Sequence, residues 1–386
     1  MLALRLARGT HPLVLLRRLL VSAASAGVGF LLLCTLGYAV GHPGASGLRL
    51  AWCAVPLAAA AYFAVAVART DPSTRPRSGL CAVGLGPARL ASIAAVSTAV
   101  SCTLGSAVAL LVYVHLRGDI SGLPFDGDAA GLLAADQPMP LAAALTLLAA
   151  LPVTASVATG LALRPRTLRP GEAGDPAHPE EPASTPASGL PWGFALIAAG
   201  LALETYVSRG GQGHAFPMPG HPESSPAGVL GGWALTAVGL ALAGPALAHF
   251  SGRLLQLARP GAARLLAGRI LMTEARRIGR PLGVVCAVAS GAIAAATLYG
   301  DRAGPHPFGP LTGLGAALVM GSTVATLLTA ALESRHARAG TTKVLLSLGT
   351  PTTLLRAAAS LRAVALLAVF TPLTVAIAEL AALPLR

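Results

Sequence analysis

The acidic residues and histidines of this chain are not spaced for binding a metal ion. The densest acidic run is Phe125-Asp126-Gly127-Asp128, and a calcium loop would need more carboxylates at set positions with a late Glu. His214 and His221 stand among Gly and Pro residues, which is a weak pattern for a metal site. We therefore predict no metal site and interpret residues 115–140, which contain the acidic run, as a solvated loop.

The chain also lacks the motifs of nucleotide-dependent and redox enzymes. Gly340-Thr341-Thr342-Lys343 has residue types of a phosphate-binding loop, but not the spacing Gly-x-x-x-x-Gly-Lys-[Ser/Thr]. No two of the five cysteines are spaced for metal or redox chemistry. No cluster of His, Glu or Asp resembles a membrane-embedded catalytic centre. The sequence therefore predicts a chain that is not an enzyme, with no catalytic residue and no bound cofactor.

Two carboxylates fall inside long apolar stretches of the sequence. Glu204 and Glu379 lie near one end of their stretches, from which we expect the side chains to reach water. Ion-coupled transporters usually need ionisable groups at mid-membrane depth, and these stretches contain almost no others. The pattern therefore disfavours a secondary transporter, although broken helices could still bind a solute through backbone groups.

Small and hydroxyl-bearing residues in the apolar stretches are interpreted as packing residues. Residues such as Ser101, Thr103 and Thr326 are expected to hydrogen-bond between helices or to their own backbone. Gly105 and Gly321 are expected to allow the helices to approach closely.

The stretches that carry these residues are predicted to be transmembrane helices. The chain is 54% hydrophobic and 11% charged, whereas a soluble domain has about 25% charged residues. Crossing a membrane takes about 20 apolar residues, and none of the stretches alternates as a strand of an outer-membrane barrel would. We predict an all-α, polytopic helical bundle of about nine spans, within limits of about eight and ten. The predicted spans lie near 19–40, 50–68, 90–114, 141–163, 190–207, 228–250, 282–299, 311–332 and 357–383.

Basic residues indicate the orientation of these spans. With a cytoplasmic N-terminus, all but five of the 28 Lys and Arg residues fall in inner segments. The five exceptions are Arg49, Arg117, Arg209, Arg302 and Arg386. We therefore predict a multi-pass protein of the plasma membrane whose basic segments contact anionic lipids. Binding of nucleic acid is not expected, because the inner segments contain almost no aromatic residues to stack on bases.

The order of segments repeats along the chain. Residues 1–163 are predicted to form a first half, with an amphipathic N-terminal helix over the first 18 residues and four spans. Residues 164–189 are rich in Pro, Glu, Ala and Ser and are predicted to be a disordered cytoplasmic linker. Residues 190–250 form a connecting pair of spans. Residues 251–386 form the second half, with a basic amphipathic segment at 264–280 before its three spans.

Each half has a basic loop on the predicted cytoplasmic side between its second and third spans. The first inner loop (residues 69–89) contains the apolar patch Leu80–Gly86 and ends at Arg89. The second inner loop (residues 333–356) contains the apolar patch Leu345–Gly349 and ends at Arg356. Both loops therefore place an apolar patch, a Leu-Gly pair and an arginine just before the next span.

This organisation resembles the FtsX-like (MacB-type) permeases of ABC transporters. The residues that carry the resemblance are Leu2-Ala3-Leu4-Arg5, Arg17-Arg18-Leu19-Leu20, Arg69 with Leu80–Gly86, and Arg335 with Leu345–Gly349. The resemblance implies a permease subunit that is driven by a separate ATPase and moves a hydrophobic or amphiphilic substrate. Such a subunit works as a homodimer or beside a second permease. The residues expected to contact the ATPase are Leu80, Val83, Leu85, Gly86, Arg89, Leu345, Leu346, Leu348, Gly349 and Leu355.

The chain departs from this family in two respects. Family members commonly carry a large outer domain between the first two spans of a half, whereas the corresponding connections here are only 41–49 and 300–310. Duplicated members also tend to have a tenth span. An alternative is therefore a non-transporting membrane scaffold or regulatory protein derived from a permease fold. A separate alternative for the inner loops is that they are interfacial helices held only by lipid.

Overall fold

The computed structural model consists almost entirely of long helices. It describes residues 12–41, 50–71, 86–119, 133, 138–164, 190–210, 215–218, 221–257, 261–299 and 310–383. The helices are α1 (Pro12–Gly41), α2 (Ala54–Thr70), α3 (Pro87–Arg117), α4 (Leu141–Leu163), α5 (Leu190–Gly210), α6 (Ala227–Gln256), α7 (Ala262–Tyr299), α8 (Pro310–Ala337), α9 (Ala339–Ser347) and α10 (Thr352–Ala382). One short antiparallel hairpin, β1 (Ala215–Met218) and β2 (His221–Pro226), lies between α5 and α6.

The predicted all-α polytopic class is confirmed. Among the described residues, nine helical stretches are long and apolar enough to cross a membrane. They coincide with α1 to α8 and α10, and the eighth continues into α9. The chain is therefore a multi-pass membrane protein.

Two predicted amphipathic segments are continuous with the spans that follow them. Residues 264–280 belong to the 38-residue helix α7, which continues through Pro281 to Tyr299. At the N-terminus, residues 12–18 are the first turns of α1, while residues 1–11 lie outside the described residues. A continuous helix keeps nearly all of its backbone hydrogen bonds within the segment, as an apolar surrounding requires. In α7 the exception is the bond to the carbonyl of Arg277, because Pro281 has no N–H.

The helices group into two compact units. The first unit comprises residues 1–169 with 308–326, and the second comprises 170–307 with 327–386. The division falls inside α8, so the early part of this helix clusters with the first unit. The connecting helices α5 and α6 cluster with the second unit. Of the predicted linker 164–189, only Arg164 lies among the described residues.

In the first unit, α3 packs closely on both α1 and α4. A Cβ atom on Gly105 of α3 would overlap the carbonyl oxygen of Ser22, so the two helix backbones are nearly in contact. Beside it, Ser25 Oγ donates a hydrogen bond to Cys102 O at 2.7 Å, and Ser106 Oγ donates to Leu148 O at 3.1 Å. Small and hydroxyl-bearing residues thus join these helices as the sequence predicted.

The same expectation is wrong for Gly321. No described atom of the first unit lies within 4 Å of the position that a Cβ on Gly321 would occupy. A small residue in an apolar stretch indicates that close packing is allowed, but it does not say which face of the helix meets a neighbour.

In the second unit, α6 is held between α5 and α7 by contacts of backbone on backbone. A Cβ on Gly200 of α5 would lie 2.6 Å from the carbonyl oxygen of Gly232 of α6. On the other side of α6, a Cβ on Gly244 would overlap the carbonyl oxygen of Gly279 of α7. Glycines at these positions let the helices approach so closely that dispersion and weak polar contacts between backbones replace side-chain packing.

The helices that correspond in the two sequence repeats make corresponding contacts. The first and third helices of the first repeat, α1 and α3, pack together within the first unit. Their counterparts in the second repeat, α7 and α10, pack together within the second unit.

Candidate partner-binding loops

The second inner loop contains a helix that the fold leaves uncovered. The nine residues of α9 follow α8 with only Arg338 between them, and none of them is buried. Val344 is 57% exposed and Leu348 is 76% exposed. These two residues are four apart and share one face, because side chains at i and i+4 of a helix lie above one another. The loop therefore presents a small apolar surface, which we call the α9 face (Val344, Leu345 and Leu348).

The end of α9 is fixed by Gly349. This residue has φ of 85°, a left-handed conformation that residues with a Cβ rarely adopt. The Gly349 N–H donates to Leu346 O at 3.0 Å, and the Thr350 N–H donates to Leu345 O at 3.1 Å. This pair of hydrogen bonds is a Schellman motif, and it satisfies carbonyls that the helix end would leave unpaired. Pro351 follows as the N-cap of α10, so the chain turns sharply between α9 and the next span.

Arg338 connects the start of α9 to the neighbouring helices. Its Nε lies 2.6 Å from Glu274 Oε1 of α7, and it also donates to Ser334 O at 3.0 Å. The other carboxylate oxygen, Glu274 Oε2, lies 3.9 Å from Arg362 Nη1 of α10. One largely buried carboxylate thus pairs with two guanidinium groups, an arrangement that fixes orientation as well as charge. We call these residues the Glu274 cluster (Glu274, Arg338 and Arg362).

The predicted contact residues of the second loop are thus close together but differ in exposure. Leu346 and Gly349 are exposed like Leu348, whereas Leu345 and Leu355 are half-buried. Leu355 lies in the first turns of α10, just after the turn at Gly349. The sequence analysis omitted Val344, although its spacing from Leu348 already placed both on one helix face.

In the first inner loop, three predicted contact residues, Leu80, Val83 and Leu85, lie outside the described residues. Gly86 is the N-cap of α3, with φ of −65° and ψ of 165°, and Pro87 opens the helix. Arg89 is exposed in the first turn of α3. Gly86 therefore begins a helix, whereas Gly349 ends one. The glycines of the two Leu-Gly pairs therefore differ in backbone geometry.

A polar contact also joins the first inner loop to the start of its half. Arg18 Nη2 of α1 lies 2.8 Å from Asp71 Oδ2, at the residue that follows α2. Next to it, Arg17 Nη1 donates to Thr70 Oγ1 at 3.1 Å. A cavity of about 50 Å³ lies beside this pair, between α1, α2 and α3. In both halves, therefore, an ion pair joins the first helix of the repeat to the beginning of the loop, with the two charges exchanged.

The sequence alone does not predict these ion pairs. Asp71 is the single acidic residue of 69–90, and Glu274 is the single acidic residue of 264–280. A lone acidic residue in a basic segment is a candidate for pairing, but its spacing does not identify the arginine that meets it.

Within the described ranges, no three His, Cys, Asp or Glu side chains are placed to hold a metal ion. The described parts of the loops present exposed apolar side chains and paired charges.

Glu204 does not reach water as the sequence analysis expected. Its side chain is 1% exposed, enclosed between helices of the second unit, while Glu379 is half-buried.

Comparison of the chain with protein-family models, with curated proteins and with solved structures found no match.

Proposed function

We propose that this chain is the transmembrane permease subunit of an ABC transporter of the FtsX-like kind, located in the plasma membrane. A separate ATPase subunit would bind the inner loops from the cytoplasm. The observation that carries the proposal is the α9 face. It belongs to a short amphipathic helix that has no buried residue and that lies between two membrane spans. A helix of this kind fits the mode of recognition in which the apolar side of a helix enters a groove on its partner.

The Glu274 cluster supports a mechanical role for this loop. Arg338 precedes α9 directly, and it is paired with α7 through Glu274, which also faces Arg362 of α10. A force applied to α9 would therefore act on two long helices of the second unit. Closure of the ATPase upon ATP binding would move the loop, and the ion pairs would pass that movement to the spans.

A hydrophobic or amphiphilic substrate agrees with the composition of the spans. Their surfaces carry many exposed apolar side chains, such as Leu104, Leu111 and Leu367. Three cavities among the described helices have volumes of about 10 to 50 Å³, too small for a solute larger than a few waters. In this proposal the substrate is handled at the lipid-facing surface of the helices or at an interface with a second permease chain.

A co-purification experiment tests this proposal. The chain is isolated from native membranes and its bound subunits are identified by mass spectrometry. We expect an ABC ATPase to be retained by the wild type, and to be lost at least tenfold with Leu348→Asp, because a carboxylate on the α9 face would have to be desolvated in the partner's groove.

Ser347→Asp is the matched control, since it introduces the same charge one residue away, at an exposed position that is not one of the three residues of the α9 face. It should retain the ATPase. If Leu348→Asp retains the ATPase as well as Ser347→Asp does, the assignment of the α9 face is wrong.

The second candidate is a membrane scaffold or regulator on a permease-like fold. It is favoured by the short connections α1–α2 and α7–α8, which leave no room for an outer domain. Binding of an ATPase whose turnover does not respond to this subunit would favour the scaffold over the permease.

A further inference from the structure

The second unit contains a buried acidic side chain beside a small polar cavity. Glu204 lies on α5 where this helix meets α6, and its Cγ is only 2.5 Å from the position that a Cβ on Gly232 would occupy. The absence of a side chain at Gly232 therefore makes the space for the glutamate. Glu204 is 1% exposed, so its carboxyl group is inside the helix bundle.

Three polar side chains at this site have no partner among the described residues. Both carboxyl oxygens of Glu204, the indole Nε1 of Trp233 and the hydroxyl Oγ1 of Thr236 are buried without a hydrogen bond. All three side chains line one cavity of about 30 Å³, together with Ser290 of α7 and Ile377 of α10. Buried polar groups without partners are rare in native proteins, and several around one cavity indicate an occupant.

The charge of Glu204 is not balanced by any described side chain that lines the cavity. Among these lining residues Glu204 is the only titratable one, and the others are apolar or neutral. The titratable residues nearest to the cavity along each surrounding helix are Tyr206 on α5, His249 on α6, Cys286 on α7 and Glu379 on α10, none of which lines it. An unpaired carboxylate in such a place is strongly disfavoured, so the group takes up a proton.

We propose that Glu204, Trp233 and Thr236 form a proton-binding site, in which Glu204 holds the proton and one water molecule fills the cavity. A water needs roughly 10–15 Å³ of such space and two to four polar partners, and the cavity provides both. The water accepts a hydrogen bond from Trp233 Nε1 and another from the protonated carboxyl, and it donates to Thr236 Oγ1. Trp233 Nε1, Thr236 Oγ1 and the protonated oxygen of Glu204 then each have a hydrogen-bond partner.

A bound metal cation fits this site less well than a proton. Hard cations such as Ca²⁺ take six to eight oxygen ligands. The side chains around the cavity offer the two oxygens of Glu204 and the hydroxyls of Thr236 and Ser290, and the Ser290 hydroxyl already donates to Ala287 O. The indole N–H of Trp233 needs a hydrogen-bond acceptor. A protonated carboxyl group or a water molecule supplies one, whereas a metal ion does not.

Proton release from this site is linked to helix separation. The reaction is the loss of one proton from the Glu204 carboxyl to water, which leaves a carboxylate. That carboxylate is stabilised by contact with water, and Glu204, which is 1% exposed, gains more of that contact when α5 moves away from α6 or α10. Protonation thus favours the closed packing of α5, and this link does not depend on the ATPase.

Infrared spectroscopy on the full chain in lipid vesicles tests the proposal. The difference between wild type and Glu204→Gln isolates the vibrations of this one side chain. We expect the C=O stretching band of a protonated carboxyl at neutral pH, which Thr236→Val shifts because the water that binds the carboxyl loses the hydroxyl that helps to hold it. Glu379→Gln is the matched control and should leave the band unchanged. Carboxylate bands from Glu204 at neutral pH would overturn the proposal.

A second measurement needs only the wild-type chain. A hydrophobic carbodiimide adds to a protonated carboxyl in an apolar site, and the adduct rearranges to a stable N-acylurea that mass spectrometry locates. We expect Glu204 to be modified, with a yield that falls as the pH rises and is unaffected by Na⁺. Protection by Na⁺ at constant pH would show a metal cation in the site, and no modification at acidic pH would show that the site takes no proton. Either result contradicts the proposal.

Discussion

At the scale of single residues, two ion pairs with similar geometry should differ in energy because they differ in exposure. Glu274 and Arg338 are mostly buried, and Ser334 provides further hydrogen bonds to Arg338. Arg18, which pairs with Asp71, is 42% exposed at its side chain. Surface pairs contribute about 0–1 kcal/mol, whereas removing one partner of a buried pair leaves a desolvated charge and is more destabilising.

We expect Arg338→Gln to lower the free energy of unfolding by roughly 1–3 kcal/mol, the usual penalty for a buried group that loses its hydrogen-bonded partner. Arg18→Gln should lower it by less than about 1 kcal/mol. Thermal unfolding of the purified chain in lipid nanodiscs measures both. A double-mutant cycle with Glu274→Gln should give a coupling of about 0.5–3 kcal/mol between Arg338 and Glu274. Strict additivity would show that the Glu274 cluster does not join α7 to the loop.

At the scale of elements, the packing of helices depends on a few glycines that bring backbones together. A Cβ on Gly105 would overlap Ser22 O of α1, and it would lie 2.6 Å from Ser25 Cβ. Around Gly321 of α8, no described atom of the first unit is within 4 Å of such a Cβ. The two glycines therefore give a matched pair in which the substitution is the same and only the surroundings differ.

We expect Gly105→Ala to destabilise the first unit, because the added methyl group forces α1 and α3 apart and weakens their interhelical hydrogen bonds. A loss of about 1–3 kcal/mol is typical of overpacking. Gly321→Ala should be neutral or stabilising by up to about 1 kcal/mol, because Ala favours a helix over Gly. The midpoints of thermal unfolding compare the two variants. Equal stability of both would refute the close contact between α1 and α3.

The helices could be predicted from the sequence, whereas their contacts could not. A span needs about 20 apolar residues, so length and composition were enough to locate all nine, including the short ones near 190–207 and 282–299. The Leu-Gly pair at Leu348-Gly349 correctly indicated the end of a helix.

The contacts between helices could not be predicted in the same way. Burial of Glu204 depends on Gly232 across the helix interface, and pairing of Glu274 depends on Arg338 far along the chain. Neither follows from local periodicity. The β1–β2 hairpin, among Gly and Pro residues, also carried no strand pattern.

At the scale of the whole molecule, two units of helices each contain a loop that is joined to its first helix by an ion pair. The pair is Arg18–Asp71 in the first unit and Glu274–Arg338 in the second. The charges are exchanged between the halves, so the contact is repeated while the residues are not. A repeated contact of this kind is expected if the proposed ATPase binds both loops from the same side and each loop transmits its movement to the neighbouring spans.

The most direct measurement places a photo-crosslinking amino acid at Leu348 in cells and identifies what it captures on irradiation. Leu348 is 76% exposed on α9, so the probe does not disturb the packing of the described helices. The account predicts a covalent adduct with an ABC ATPase, and no such adduct when the probe stands at Ser347. Adducts with lipid alone, or with a protein outside the cytoplasm, would contradict it.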